Sequence, residues 1–245
     1  MKKAIRVLKE CLRPYVFGMI HVPALPGTPL NKMSIPEILD IVRKEACTYA
    51  SAGVDGIVVE NMHDIPYVKP PVGPEITSAM TMACQAVSDA LGVRRKQMLL
   101  GVQILAGANK EAIAVAHSTG YDLVRAECFV FSHVADEGWM DGCAGELLRY
   151  RRSIGADSVA IVTDIKKKHS SHAVTADLLI SDVAKAAEFF QADAVIVTGK
   201  CTGDAPNALI VGSEFKRDGD WRNELDSDRI KTFMDKINAL DSNMS

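Results

Sequence analysis

The chain has 245 residues, a net charge of −3, 48% hydrophobic residues and 24% charged residues. That hydrophobic share with so little net charge excludes a disordered chain, and the near-neutral balance leaves no electrostatic footprint for nucleic acid. No apolar run reaches the roughly 18 residues of a membrane-spanning helix, and the length suits one (β/α)₈ barrel, for which about 250 residues is usual.

The first ten residues carry Lys2, Lys3, Arg6 and Lys9 before a single acid, Glu10. They read either as the remnant of an organelle-targeting segment or as a short amphipathic helix closing the bottom of the fold, with Ile5, Leu8 and Leu12 on one face. No apolar core of a secretory signal is present. The six cysteines, Cys11, Cys47, Cys84, Cys128, Cys143 and Cys201, are scattered without a Cys-x-x-Cys pair. They read as reduced thiols of an intracellular protein, cytoplasmic or else mitochondrial or in another organelle.

From Tyr15 onward, short apolar runs alternate with helical patterns. Tyr15–Val22 is a strand. Ser34-Ile-Pro-Glu37 is an N-cap with Pro just inside and Glu three residues on, and it opens a helix over Ile38–Ala52. Strands follow at Val54–Asn61, Met98–Leu105, Asp122–Glu127, Ser158–Ile165, Ala194–Thr198 and Ala208–Val211. Helices lie between and after them at Pro74–Leu91, Asn109–Thr119, Gly145–Ile154, Ala176–Phe190 and Arg229–Leu240. Near-continuous apolar strands alternating with helices mean a parallel sheet covered by helices. No linker or composition break divides the chain, so residues 15–245 form one barrel domain behind an N-terminal helix or extension over residues 1–14.

The strand spacing contains an exception. Successive starts lie 39, 44, 24, 36, 36 and 14 residues apart. Only Thr198–Asn207 separates the last two strands, whereas a parallel crossover takes about a dozen residues or more. Seven strands are visible, and the last connection is too short.

In parallel α/β folds the chemistry lies at the carboxyl ends of the strands. That rule selects His21; Glu60, Asn61 and Asp64; Gln103; Arg125 and Glu127; Asp164 and Lys166; Thr198, Gly199 and Gly203; and Gly212 with Ser213. Of these, His21, Glu60, Asp64, Glu127 and Asp164 could converge as general acids and bases or hold a divalent metal through oxygen and imidazole. Arg125 and Glu127 could equally be buried charges paired with neighbours. Lys166-Lys-Lys-His169 favours attraction of an anion over Schiff-base chemistry, because three adjacent lysines suit a solvated loop. The stiff Lys69–Glu75 loop either overhangs the cavity mouth or simply starts a helix. Gly199, Gly203, Gly212 and Ser213 stand after late strands, where barrels hold phosphate groups on backbone N–H donors.

Four stretches carry a family resemblance: Gly18-Met-Ile-His-Val-Pro-Ala-Leu-Pro-Gly-Thr-Pro29, Gly53-Val-Asp-Gly-Ile-Val-Val-Glu-Asn61 with Val72-Gly-Pro-Glu75, Leu148-Arg-Tyr-Arg-Arg-Ser-Ile-Gly-Ala-Asp157, and Val211-Gly-Ser-Glu-Phe-Lys-Arg-Asp-Gly219. Together they resemble the BtpA (photosystem I biogenesis protein) family, which includes the SgcQ-type bacterial proteins. The resemblance covers nearly all of the chain after about residue 15. It implies a TIM-type (β/α)₈ barrel of the ribulose-phosphate-binding-like group and no assigned reaction. His21, Glu60, Asn61 and Asp64 match motif residues of that family.

The family pattern has a helix, a seventh strand and another helix before the Val-Gly-Ser strand. Here about one βα repeat, roughly 30 residues, is absent between Thr198 and Ala208, as in a splice form, an internal deletion or a curtailed gene model. The chain is therefore expected to be an incomplete barrel, with two unpaired edges or a strained closure, reduced stability and weakened ligand binding. Two functional classes follow. One descends from an enzyme acting on a small anionic, phosphorylated or sugar-like metabolite, inactive in this form if the lost repeat is essential. The other is a non-catalytic assembly or stability factor for a protein complex. A homo-oligomer is compatible with either.

Overall fold

The computed structural model describes residues 1–197 and 208–242. Helix α1 (Lys3–Glu10) precedes strand β1 (Tyr15–His21), and α2 (Ile35–Ser51) leads to β2 (Gly56–Glu60). Then come α3 (Pro74–Leu91), β3 (Leu99–Gln103), α4 (Asn109–Thr119) and β4 (Leu123–Ala126). A short ribbon, β5 (His133–Ala135) and β6 (Gly138–Met140), interrupts the alternation before α5 (Ala144–Ser153) and β7 (Ala160–Ile165). The chain continues through β8 (Ser170–Ser171), α6 (Ile180–Phe189), β9 (Ala194–Val197), β10 (Ala208–Val211) and α7 (Ser227–Ser242).

Seven strands form one sheet in the order β10-β1-β2-β3-β4-β7-β9, and every neighbouring pair is parallel. Strands β9 and β10, the two that flank the short Thr198–Asn207 interval, each have one partner among the described residues and end the sheet on opposite sides. The sheet is thus an incomplete barrel, open where the spacing says a repeat is missing. The second sheet, β6-β5-β8, is antiparallel and sits in the loops after β4 and β7. Sequence patterning does not register it, since its strands have two or three residues each.

Local chemistry builds the elements as expected. Glu37 Oε2 accepts from the Ser34 backbone N–H at 2.8 Å, closing the capping box of α2, and the buried Ile38, Leu39, Val42, Ala46 and Tyr49 form one helical stripe. Gly120 ends α4 in the left-handed region, with φ +68°. Helix α6 starts four residues later than its apolar pattern suggests. Residues Ala173–Thr175 form a separate 3₁₀ turn, and Asp182 caps the backbone N–H of Leu179 at 3.0 Å.

Alternation divides each strand between two cores. Val16, Ile20, Ile57, Val59, Leu100, Val102, Val124 and Ile161 face the helices. Phe17, Met19, Val58, Leu99, Leu123, Ala160 and Val162 face the axis. Gly56 and Gly101 make room on the axis: a Cβ on Gly56 would stand 2.6 Å from the Phe17 ring, and one on Gly101 would stand 2.5 Å from Leu123. Large side chains are matched by glycines one strand away, as a small barrel interior requires.

Helix α1 closes the amino-terminal mouth. Ala4 is buried in the axial core, and Ile5, Val7, Leu8 and Cys11 pack around it. Lys2 pairs with Asp193 and Lys3 with Asp122 at 2.9 Å. Leu12 departs from the expected stripe: it is 85% exposed, because the helix ends at Glu10 and Cys11 is extended, so helical periodicity no longer places residue 12.

At the open edge, β9 is incompletely covered. Val195 and Val197, on its outer face, are 40% and 41% exposed, and Phe189 at the end of α6 is 82% exposed. The outer face of a barrel strand normally packs against the ring of helices; among the described residues that cover is incomplete here. Among the described residues no helix is long and apolar enough to cross a membrane.

Candidate functional site

The axial face of the sheet ends in a polar layer. The parity that places Met19, Val58, Gly101, Leu123 and Val162 toward the axis places His21, Glu60, Gln103, Arg125 and Asp164 there as well, one step nearer the carboxyl ends. Register aligns His21 with Glu60 and Glu60 with Gln103. Glu127 follows Arg125 by two residues. All except Arg125 are buried, and the apolar axial core lies directly beneath them. Charge is therefore held in a poorly solvated place, where each ionised group needs a partner.

Most find one. Arg125 donates to both Asp164 oxygens, Nε to Oδ2 at 2.9 Å and a terminal nitrogen to Oδ1 at 3.0 Å, and the Asp164 side chain is only 1% exposed. This two-pronged contact outweighs the burial of the guanidinium and pushes its pKa up. Lys167 Nζ donates to Glu127 Oε1 at 2.8 Å.

His21 and Glu60 lack such a partner. His21 Nε2 lies 3.7 Å from Glu60 Oε2. Burial, reinforced by the charge of Lys216, lowers the imidazole to about 3. Burial raises Glu60 to about 7, against the lowering effect of Arg125 and with the help of Glu127 and Asp164. Near neutral pH the imidazole is uncharged, so the contact is an acid–base pair and not a salt bridge. His21 Nδ1 faces the backbone carbonyl of Trp221 at 3.4 Å. A carbonyl only accepts, which assigns the N–H to Nδ1 and leaves a lone pair on Nε2. Gly212 keeps that nitrogen accessible: a Cβ there would sit 3.4 Å from Nε2.

Other expected residues have different work. Asp64 is buried, but its oxygens accept from the Leu25 backbone N–H at 2.7 Å, Thr28 Oγ1 at 3.0 Å and Asn61 Nδ2 at 2.9 Å. Asn61 Oδ1 in turn accepts from the Leu105 backbone N–H at 2.7 Å. These two side chains tie the Pro-rich loop after β1 to the loops after β2 and β3. Lys166 turns aside at φ +45°, and its Nζ donates to the Thr175 carbonyl at 2.9 Å. Ser213 is exposed in a 3₁₀ turn. Thr198, Gly199 and Gly203 lie outside the described residues.

Four residues outside the expected set also take part. Lys167, one residue past the expected Lys166, reaches the site because the left-handed Lys166 redirects the chain. Trp221 and His63 pack beside His21 with their rings 5.0 Å apart and tilted by 44°, each with its ring centroid 6.4 Å from the imidazole. Lys216 is buried after β10 and donates to Glu45 Oε1 on α2 at 2.7 Å. The loops after β4 and β7 also bring His133 to 3.5 Å from Cys128 Sγ and stack it on His172. Burial lowers His133 to about 4 and raises the Cys128 thiol to about 12, which describes an inert thiol. No three His, Cys, Asp or Glu side chains among the described residues converge closely enough to hold a metal ion.

Comparison with known proteins bears on the fold and the family. A solved dihydrodipicolinate synthase, DapA-2 from Bacillus anthracis, superposes with a TM-score of 0.51, covering 94% of this chain and 76% of that one at 10% identity; this likeness concerns the barrel fold alone. Photosystem I biogenesis protein BtpA of Synechocystis sp. is 32% identical over 192 residues, 78% of this chain and 64% of that protein. An uncharacterized mitochondrial protein of Caenorhabditis elegans is 52% identical over 261 aligned residues, covering 93% of this chain and 94% of that protein. Since 93% of 245 residues is about 228, about 33 of those aligned positions have no counterpart here, the size of one βα repeat. The model described as the BtpA family matches residues 13–209, and the chain belongs to the BtpA family.

Proposed function

We propose that this barrel derives from an enzyme performing proton transfer on a small phosphorylated or sugar-like metabolite. The observation that carries the reading is the His21–Glu60 pair. A neutral imidazole with an exposed lone pair stands beside a buried carboxyl raised to about 7. General acid–base catalysis works best with a pKa near the operating pH, and buried carboxyls tuned upward are characteristic of such sites. Glu60 acts as the proton donor or acceptor. His21 Nε2 receives or returns the proton, and Arg125 and Lys167 hold the neighbouring carboxylates in place. The lost repeat would have supplied part of the rim, so this form carries the acid–base layer with a reduced binding wall. The intracellular setting is cytoplasmic or mitochondrial, the latter matching the name of the Caenorhabditis elegans relative.

Solvent deuterium exchange tests the reading. The protein is incubated in D₂O with a panel of small hydroxy, keto and phosphorylated metabolites, and exchange of carbon-bound hydrogen is read by mass spectrometry. Exchange is expected for one chemical class and is expected to fall at least a hundredfold in Glu60→Gln. If neither this chain nor a relative containing the repeat exchanges any member, the acid–base reading fails.

A second reading, a non-catalytic assembly factor, draws on the exposed Phe189, Phe190, Val195 and Val197 and on the name of the Synechocystis relative. Recovery of a stoichiometric protein partner that Val197→Lys abolishes would favour it.

A further inference from the structure

The polar layer contains buried acceptor oxygens that no protein donor fills. Each cation around it already holds a partner: Arg125 holds Asp164, Lys167 holds Glu127, Lys216 holds Glu45 and Lys166 the Thr175 carbonyl. Gln103 Oε1 and Glu127 Oε2 are buried side-chain oxygens with no hydrogen-bond partner, although buried polar atoms in folded proteins nearly always have one. His21 Nε2 presents a lone pair toward Glu60. Glu60, Gln103 and Glu127 occupy neighbouring strands β2, β3 and the end of β4 on the same axial face, and Glu60 senses the charge of Glu127.

We infer that this layer binds a neutral polyhydroxylated, sugar-like molecule, and that it does so by accepting from the ligand's hydroxyls and not by neutralising an anion. This rests on the acid–base reading above and names the substrate class for the same site. A phosphate in this layer would meet two acceptor oxygens and cations already held by carboxylates, so it would gain little and would be repelled by Glu127. A hydroxyl both donates and accepts, which suits Gln103, Glu127 and a protonated Glu60 together. An ammonium group could satisfy the acceptors but would favour the ionised form of Glu60. The half-buried Trp221 ring, its centroid 6.4 Å from that of His21 and 5.0 Å from that of His63, offers an apolar face for the C–H groups of a sugar ring.

Calorimetric titration of this chain tests the inference with glucose, ribose and fructose, their phosphate esters, glucosamine and inorganic phosphate as probes. At least one neutral sugar is expected to bind no more weakly than its phosphate ester, and inorganic phosphate is expected not to compete with it. Gln103→Leu, with folding checked by circular dichroism, should weaken that sugar at least tenfold, while Gln103→Glu, which keeps the acceptor, should retain it. A phosphate ester or glucosamine binding tenfold more tightly than the parent sugar would overturn the assignment. So would the absence of any saturable binding by folded protein, or equal loss in Gln103→Leu and Gln103→Glu. Deuterium exchange lost in Glu60→Gln would still stand in each of those cases, so the substrate class and the acid–base reading fail separately.

Discussion

His21 Nε2 and Glu60 Oε2 face each other across 3.7 Å on adjacent strands, each shifted by burial toward its uncharged form. Folding stability follows the difference in bound protons between the unfolded and folded chain. Between about 6.5 and 3, His21 is protonated only when unfolded, so it makes stability rise with pH through that window. Between 4.5 and about 7, Glu60 is protonated only when folded, so it makes stability fall with pH there. Each slope approaches about 1.4 kcal/mol per pH unit, and the two oppose one another between 4.5 and 6.5. Relative to the parent chain, Glu60→Gln is expected to show stability rising with pH across that overlap, and His21→Asn is expected to show it falling. Urea unfolding at half-unit pH steps checks both. Parallel profiles for the parent and Glu60→Gln would mean that Glu60 is ionised at neutral pH.

The Arg125–Asp164 pair is nearly closed to solvent on the carboxylate side. Removing one member leaves the other charged and buried, which typically costs about 3–5 kcal/mol. Arg125→Met and Asp164→Ala are each expected near about 3 kcal/mol, because the guanidinium keeps some access to water. Arg125→Met combined with Asp164→Ala should cost clearly less than the two single losses together. Denaturant midpoints give the comparison, and additivity within about 0.5 kcal/mol would show that the pair is uncoupled.

The open edge has its own consequence. Among the described residues strand β9 has one unpaired side, and its outer face leaves Val195 and Val197 exposed, close in sequence to Phe189. Unpaired apolar edges are sites of self-association. Phe189→Lys with Val195→Lys is expected to reduce concentration-dependent association in sedimentation velocity while changing stability by no more than about 0.5 kcal/mol, as is usual for exposed positions. Identical sedimentation of parent and variant over a wide concentration range would remove this edge as a cause of association.

Much of the site was legible before any coordinates. A strand's side chains alternate with period two, so once β1, β2, β3, β4 and β7 were recognised, His21, Glu60, Gln103, Arg125 and Asp164 had to share one face. The connection of only ten residues, Thr198–Asn207, before the last strand likewise revealed the missing repeat, because a parallel crossover takes about a dozen residues or more. Asp64 and Lys166 were not legible in this way. They follow the strands, where side-chain direction depends on loop dihedrals and no period applies. Trp221 and Lys216 come from beyond β10 and reach the site only because that strand pairs with β1, some 190 residues earlier in the chain.

The amino-acid sequence by itself determined the alternation, the polar layer at the strand ends and the lost repeat, since each follows from local periodicity and chain length. Only the tertiary structure decided which charges are paired and which oxygens remain open. Pairing depends on distances between residues far apart in the chain, and the low-dielectric floor beneath the layer, which shifts His21 and Glu60 toward their uncharged forms, exists only once the strands have assembled around it.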